Sequence, residues 1–224
     1  MTTHIVYSKE FHKHDNVDHL ENARRLDAIL NEIKQSSFSD DLVFVEPEML
    51  PENSLYRVHT DRMIKLIKEK STIGDSWIDP DTYICKNDYD VARLAAGGLV
   101  MVCKNVLSGE VDNAFVLARP PGHHATRDRS MGFCLFNNAA LAAHEVTKTG
   151  KRVLIFDPDV HHGNGTQDIF YNRRDVMYQS FHLSPHYPGT GDIDEIGIAD
   201  GTGFTINAPL IHGNGDNAVS QLLE

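Results

Sequence analysis

The segment Asp157-Pro158-Asp159-Val160-His161-His162-Gly163-Asn164-Gly165-Thr166-Gln167 sets two carboxylates and two imidazoles directly after the apolar run Val153 to Phe156. Oxygen and nitrogen donors gathered at the end of a strand are the chemistry of a divalent cation. In extended backbone, side chains two apart share a face, and at roughly 3.3 Å per residue the Cα atoms of Asp159 and His161 lie on the order of 7 Å apart. Both side chains then reach one ion through metal bonds of about 2 Å. Asp157 shares that face one step further back, where it supports the site from behind rather than binding the ion. The plainer use of the same residues is a polar strand-to-helix turn, for which Asp, Asn and Gly are ordinary choices.

A second histidine-bearing segment, Arg119-Pro120-Pro121-Gly122-His123-His124-Ala125, follows the apolar stretch Ala114 to Ala118. Two prolines stiffen the loop and Gly122 permits close approach. Histidine suits proton transfer near neutral pH, and a carboxylate or amide on its second nitrogen sets tautomer and basicity. Asp157 and Asn164 are available for that orienting task. Adjacent histidines in extended chain point apart, which assigns His123 and His124 distinct roles. Two further loops, Ser180 to Gly191 and Gly132 to Asn138, offer Tyr187 and Phe133 as walls of a pocket, with Phe136 in the core.

The elements that must hold these residues alternate between short apolar strands and helical patterns, the signature of an α/β domain with a mainly parallel sheet. Strands are predicted at Ile5 to Tyr7, Val43 to Val45, Ala114 to Ala118, Val153 to Phe156, Val176 to Phe181 and Phe204 to Ala208. Helices are predicted around Leu26 to Ile33, after a Thr60 cap through Ile67, over Tyr89 to Leu107, and from Asn138 to Thr149 with Gly150 ending it. Asp216 caps a last amphipathic pattern that runs into Glu224. In open α/β sheets ligands collect beyond the carboxyl ends of strands, where both histidine loops fall. With no repeat or linker, residues 1–224 read as one domain.

Bulk properties agree. The 224 residues are 41% hydrophobic and 24% charged with net charge -11, which disfavours a nucleic-acid surface; such a charge attracts cationic ligands such as polyamines or lysine-rich peptides, or simply maintains solubility. The N-terminus, Met1 to Tyr7, lacks the apolar core of a signal peptide, and no uninterrupted apolar stretch reaches bilayer length. Cys85, Cys103 and Cys134 form no CxxC pair, so a reducing cytoplasm is expected.

Taken together, these segments resemble the zinc-dependent histone deacetylase family, with its acetylpolyamine amidohydrolase and acetoin-utilisation relatives. Arg119 to Ala125, Gly132 to Asn138, Asp157 to Gln167 and Ser180 to Gly191 carry the likeness, with weaker matches at His19-Leu20-Glu21, Arg25-Leu26, Val58-His59 and Asp81-Thr82-Tyr83. The resemblance implies a three-layer α/β/α arginase/deacetylase-like fold. It implies hydrolysis of an acetyl amide on acetyl-lysine, an acetylpolyamine or a similar small acetylated amine. Asp159 and His161 would be two of three protein ligands to Zn2+, with Fe2+ also accommodated. His124 would be the general base, held by Asn164 where relatives commonly have Asp, and His123 its electrostatic partner, oriented by Asp157. Asp157, Asp159, His161, Ser180 and Phe181 would form a structural K+ site. Gly132, Phe133 and Tyr187 would line the substrate channel. Ile84 falls where many relatives place a rim aspartate, which weakens the case for a peptide clamp.

Two elements of the family pattern are absent from the sequence: a Gly-Phe-Asp segment bearing the third ligand and a Gly-Gly-Tyr segment bearing an oxyanion tyrosine. The family's last two strands insert at the centre of an eight-stranded sheet, so a C-terminally truncated chain is expected, needing a complementing segment or a second copy. The alternative function is a catalytically incomplete fragment that binds or regulates. An arginase-like ureohydrolase is set aside because its paired Asp-rich motifs are missing.

Overall fold

The computed structural model describes residues 2–223; Met1 and Glu224, which bound the sequence reading, lie outside the described residues. Strands β1 (Thr3–Val6), β2 (Leu42–Val45) and β5 (Asn113–Val116) form one parallel sheet in the order β2-β1-β5. Strands β6 (Val153–Asp157), β7 (Val176–Leu183) and β8 (Thr205–Leu210) form a second parallel sheet in that order. A two-stranded antiparallel ribbon, β3 (Ser76–Trp77) with β4 (Tyr83–Ile84), completes the described strands. The helices are α1 (Arg24–Gln35), α2 (Glu52–Leu55), α3 (Asp61–Ile73), α4 (Asp88–Ser108), α5 (Asn138–Thr147), α6 (Asn164–Phe170) and α7 (Asp216–Leu223).

All six strands expected from the sequence are present, with no end displaced by more than two residues. The Thr60 cap is made, its Oγ1 accepting from Met63 N at 3.4 Å. The apolar rows of α3, α4 and α5 meet in the larger core cluster, which holds Ile64, Ile67, Ala92, Ala96, Phe136 and Leu141. A smaller cluster joins Ile5, Leu26 and Leu30 to Val91 and Ala95 of the same α4. Because α4 is packed from both sides, its middle is built from small residues. A Cβ on Gly97 would stand 2.0 Å from Glu48 O, a backbone approach only glycine allows.

Helix α4 is, at 21 residues, long and apolar enough to cross a membrane by length and composition. Its uninterrupted apolar run is nonetheless short, broken by Asp90 and Arg93 at its start and by Lys104 near its end. Its residues Tyr89, Ala92, Ala95, Ala96, Val100 and Val102 are buried within the protein, as in a core helix.

Neither β5 nor β6 pairs with a described strand on its second side. Each therefore leaves a row of backbone donors and acceptors unpaired among the described strands. On β6, Leu154 is 59% and Phe156 41% exposed, so one face of this edge strand is uncovered. Both carboxyl ends, of β5 and of β6, open onto one cavity.

Candidate metal centre and histidine pair

That cavity, about 910 Å³, is lined by His123, His124, Gly132, Phe133, Asp157, Asp159, His161 and Tyr187 among others. All eight were singled out from the sequence.

The loop after β5 carries the histidine pair and is fastened by a buried ion pair. Arg119, 3% exposed, donates Nε and Nη2 to the two carboxylate oxygens of Glu21 at 2.5 and 2.7 Å. Burial pushes the Glu21 carboxyl up, but Arg119 outweighs it and leaves the group below its ordinary range. Beside this pair, His14 Nδ1 lies 2.7 Å from Asp88 Oδ2, and Cys85 N donates to the same oxygen at 2.6 Å. The donor atoms of His14, Cys85 and Asp88 lie within 4.8 Å of one another. At hydrogen-bond separation, with burial first and then Asp88 pushing the thiol up to about 11, this trio reads as a fastening.

Past the prolines the chain turns, Ala125 N donating to Gly122 O at 3.1 Å. That turn corrects the expectation from extended backbone: both rings enter the cavity, their centroids 4.0 Å apart. They differ in partner instead. His123 Nδ1 donates to Asp157 Oδ2 at 3.0 Å, whereas His124 Nδ1 donates to Asn164 Oδ1 at 2.8 Å. Burial lowers the pKa of both. For His123 the Asp157 bond and charge outweigh burial and the net shift is upward. For His124 burial, reinforced by the neighbouring His123 charge, prevails and holds the ring down at about 4. At neutral pH His124 is thus an uncharged imidazole whose Nε2 carries a free lone pair.

Next to this pair, Asp159 Oδ1 and His161 Nδ1 face one another at 3.2 Å. Two ligands on a tetrahedral ion with bonds of about 2 Å stand about 3.3 Å apart, so the separation fits a shared cation. Among the described residues no third donor joins them within the same reach. His186 stacks on His161 with centroids 4.9 Å apart, but parallel rings do not converge on one point. Of the residues grouped as a K+ site, Asp157 and Ser180 are in register on β6 and β7. Ser180 Oγ lies 2.9 Å from His182 Nδ1, and the Phe181 ring packs on Phe156 at 5.1 Å.

At the mouth, Phe133 packs edge-on against His19 at 4.6 Å, and Tyr187 against His124 at 5.0 Å. Gly132 has a second role: with φ at 55°, an added Cβ would stand 2.4 Å from His124 Cδ2. Ile84 is fully buried, and Asp81 lines the cavity.

A match to the histone deacetylase domain covers residues 19–224. The chain belongs to the histone deacetylase family. It is 43% identical over 197 residues to a probable deacetylase of Methanothermobacter thermautotrophicus, covering 86% of this chain and 58% of that protein. A probable deacetylase of Archaeoglobus fulgidus is 38% identical over 228 residues, covering 100% of this chain and 63% of that protein. The crystal structure of the HDA15 HD domain superposes with a TM-score of 0.89 at 37% identity, covering 93% of this chain and 62% of that one. The fold is therefore the three-layer arginase/deacetylase-like one. This deacetylase-family chain spans about three fifths of the length of the relatives it matches.

Sequence reasoning missed Tyr178, whose hydroxyl reaches Asp157, and gave Arg119 and Glu21 no joint role. Both links run across distant parts of the chain, 21 and 98 residues apart. The one available signal was a tyrosine inside an apolar strand two positions before Ser180.

Proposed function

We propose that this chain carries the catalytic histidine pair and part of the metal centre of an acetyl-amide hydrolase, acting on acetyl-lysine, an acetylpolyamine or a similar small acetylated amine. The observation that carries the reading is the neutral His124 set beside the facing Asp159 and His161 donors. Asp159 and His161 would hold a divalent ion, zinc by preference and iron(II) as an alternative, with a further donor from outside the described residues. Such an ion polarises an amide carbonyl and acidifies water. His124 Nε2 takes the proton from the attacking water, Asn164 keeps the tautomer that leaves that nitrogen free, and a protonated histidine then gives a proton to the leaving amine as the C–N bond breaks. His123, whose protonated form the Asp157 bond and charge favour over the opposing effect of burial, would supply positive charge beside the developing oxyanion. Phe133 and Tyr187 admit a slim uncharged acyl arm and exclude bulkier groups. Potassium held by Asp157, Asp159, His161, Ser180 and Phe181 would brace the strand end. Turnover of an acetyl-lysine reporter that requires an added divalent metal, zinc or iron(II), and is lost in His124→Ala supports this; metal-independent turnover, or turnover retained in that variant, contradicts it.

A second reading is favoured by the two-donor set and the unpaired edges of β5 and β6. In it the chain binds acetylated ligands or needs a complementing segment or copy before it turns over. Acetylated ligand bound stoichiometrically with no hydrolysis, and hydrolysis restored by a complementing segment, would select it.

A further inference from the structure

Tyr178 stands on β7 opposite Ile155 of β6, 1% exposed. Asp157 lies two residues beyond Ile155 on the same face, on the order of 7 Å along the strand. A tyrosine leaning along its strand spans that distance, and its hydroxyl meets Asp157 Oδ2 at 3.1 Å. The same hydroxyl accepts from Gly163 N at 3.0 Å. A phenol has one proton to give and lone pairs to receive, so both bonds are compatible. Asp157 Oδ2 also receives His123 Nδ1–H at 3.0 Å. The order is continuous: Gly163 N–H to Tyr178 oxygen, Tyr178 O–H to Asp157, and His123 N–H to that same carboxylate oxygen.

Gly163 shows how tightly these groups converge. A Cβ there would stand 2.2 Å from Asp157 Oδ2, 2.5 Å from the Tyr178 hydroxyl and 3.1 Å from His123 Nδ1. Its φ of -77° is open to any residue, so glycine is required by space rather than by backbone angle. The next residue, Asn164, opens α6 and holds His124. Burial, and after it the Asp157 charge, push the Tyr178 ionisation upward, so the hydroxyl keeps its proton and remains a donor.

We propose that the Tyr178 hydroxyl is a positioning group shared by both histidine arms. It fixes Asp157 against His123 directly, and through Gly163 N–H it sets the turn from which Asn164 holds His124. The two rings, each with its own partner, are thereby referred to one buried atom. The inference rests on the reading in which His123 and His124 act together, but it is tested without turnover.

Tyr178→Phe keeps the ring and removes only the hydroxyl. In the full chain, near-UV circular dichroism reports the fold and proton NMR reports the His123 Nδ1–H resonance, assigned by its loss in His123→Gln. The expected result is native dichroism, a displaced His123 resonance and Gly163 amide exchange accelerated roughly 10- to 100-fold as its acceptor is lost. Where wild type turns over substrate, kcat falls roughly 10- to 100-fold at unchanged KM. A His123 resonance and Gly163 exchange matching wild type would overturn the proposal. If the phenylalanine variant does not fold, site-specific 3,5-difluorotyrosine at 178 keeps the shape and strengthens the donor. A displaced resonance there supports the proposal, and an unmoved one overturns it. Absence of turnover in wild type would count against the hydrolase reading alone, since the resonances still decide the role of Tyr178.

Discussion

His123 and His124 lie ring against ring, 4.0 Å between centroids, yet one is bonded to a carboxylate and the other to an amide. Neighbouring titratable groups whose surroundings push them apart mark an acid and a base. For His124→Ala, turnover should fall by roughly 10²- to 10⁴-fold, the worth of a positioned general base. Asn164→Asp puts a negative charge on the His124 ring, raises its pKa from about 4, and moves the acid limb of the kcat/KM profile to higher pH. A limb that stays in place or moves to lower pH contradicts the assignment of His124 as base.

Gly132→Ala probes the close approach of backbone to base. With φ at 55° and a Cβ 2.4 Å from His124 Cδ2, the substitution must displace the ring. A misplacement of about 1 Å costs turnover on the order of 10²-fold. Because the site sits at the surface of the cavity, the melting temperature should change far less than activity. Wild-type kinetics in this variant would show that the ring tolerates displacement.

Arg119→Met tests the fastening under the histidine loop. Removing one partner of a buried pair leaves Glu21, 2% exposed, as an uncompensated charge. Such losses cost about 3–5 kcal/mol. Denaturant unfolding should show that loss, and Glu21→Gln in the same chain should recover part of it. A loss below about 1 kcal/mol would mean water reaches Glu21.

Acid sensitivity follows from His59, 1% exposed, which bonds Thr126 O through Nδ1 and accepts Asn137 N at Nε2. Burial first holds it at about 4, below its ordinary 6.5. Between those values the unfolded chain takes up a proton that the folded chain refuses, so stability falls as pH drops from 6.5 to 4. The window is worth up to about 3 kcal/mol for this group. His162, also held at about 4, acts in the same direction. Urea midpoints measured from pH 7 to pH 4.5 should decline, and less steeply in His59→Gln. A midpoint constant or rising toward acid contradicts this.

Much of this was legible in the sequence because it is local. The Asp159/His161 spacing, the adjacent histidines and the strand-ending loops each lie within a dozen residues, and period and turn chemistry set them. The ribbon β3–β4 escaped because two-residue strands carry no period, and α6 because Gly163 and Gly165 mask a helix start. Tyr178 and the Arg119–Glu21 pair escaped because side-chain register between distant segments is decided by packing. That the β3–β4 ribbon turns Ile84 into the core was hidden for the same reason.

The central claim is that Asp159 and His161 share a divalent cation beside His124, and anomalous scattering tests it most directly. Crystals soaked in zinc and measured across the zinc absorption edge should show a peak about 2 Å from both Asp159 Oδ1 and His161 Nδ1, and none there in the Asp159→Ala, His161→Ala double variant. Crystals that show no peak between those atoms, or show one unchanged in the double variant, would contradict the account.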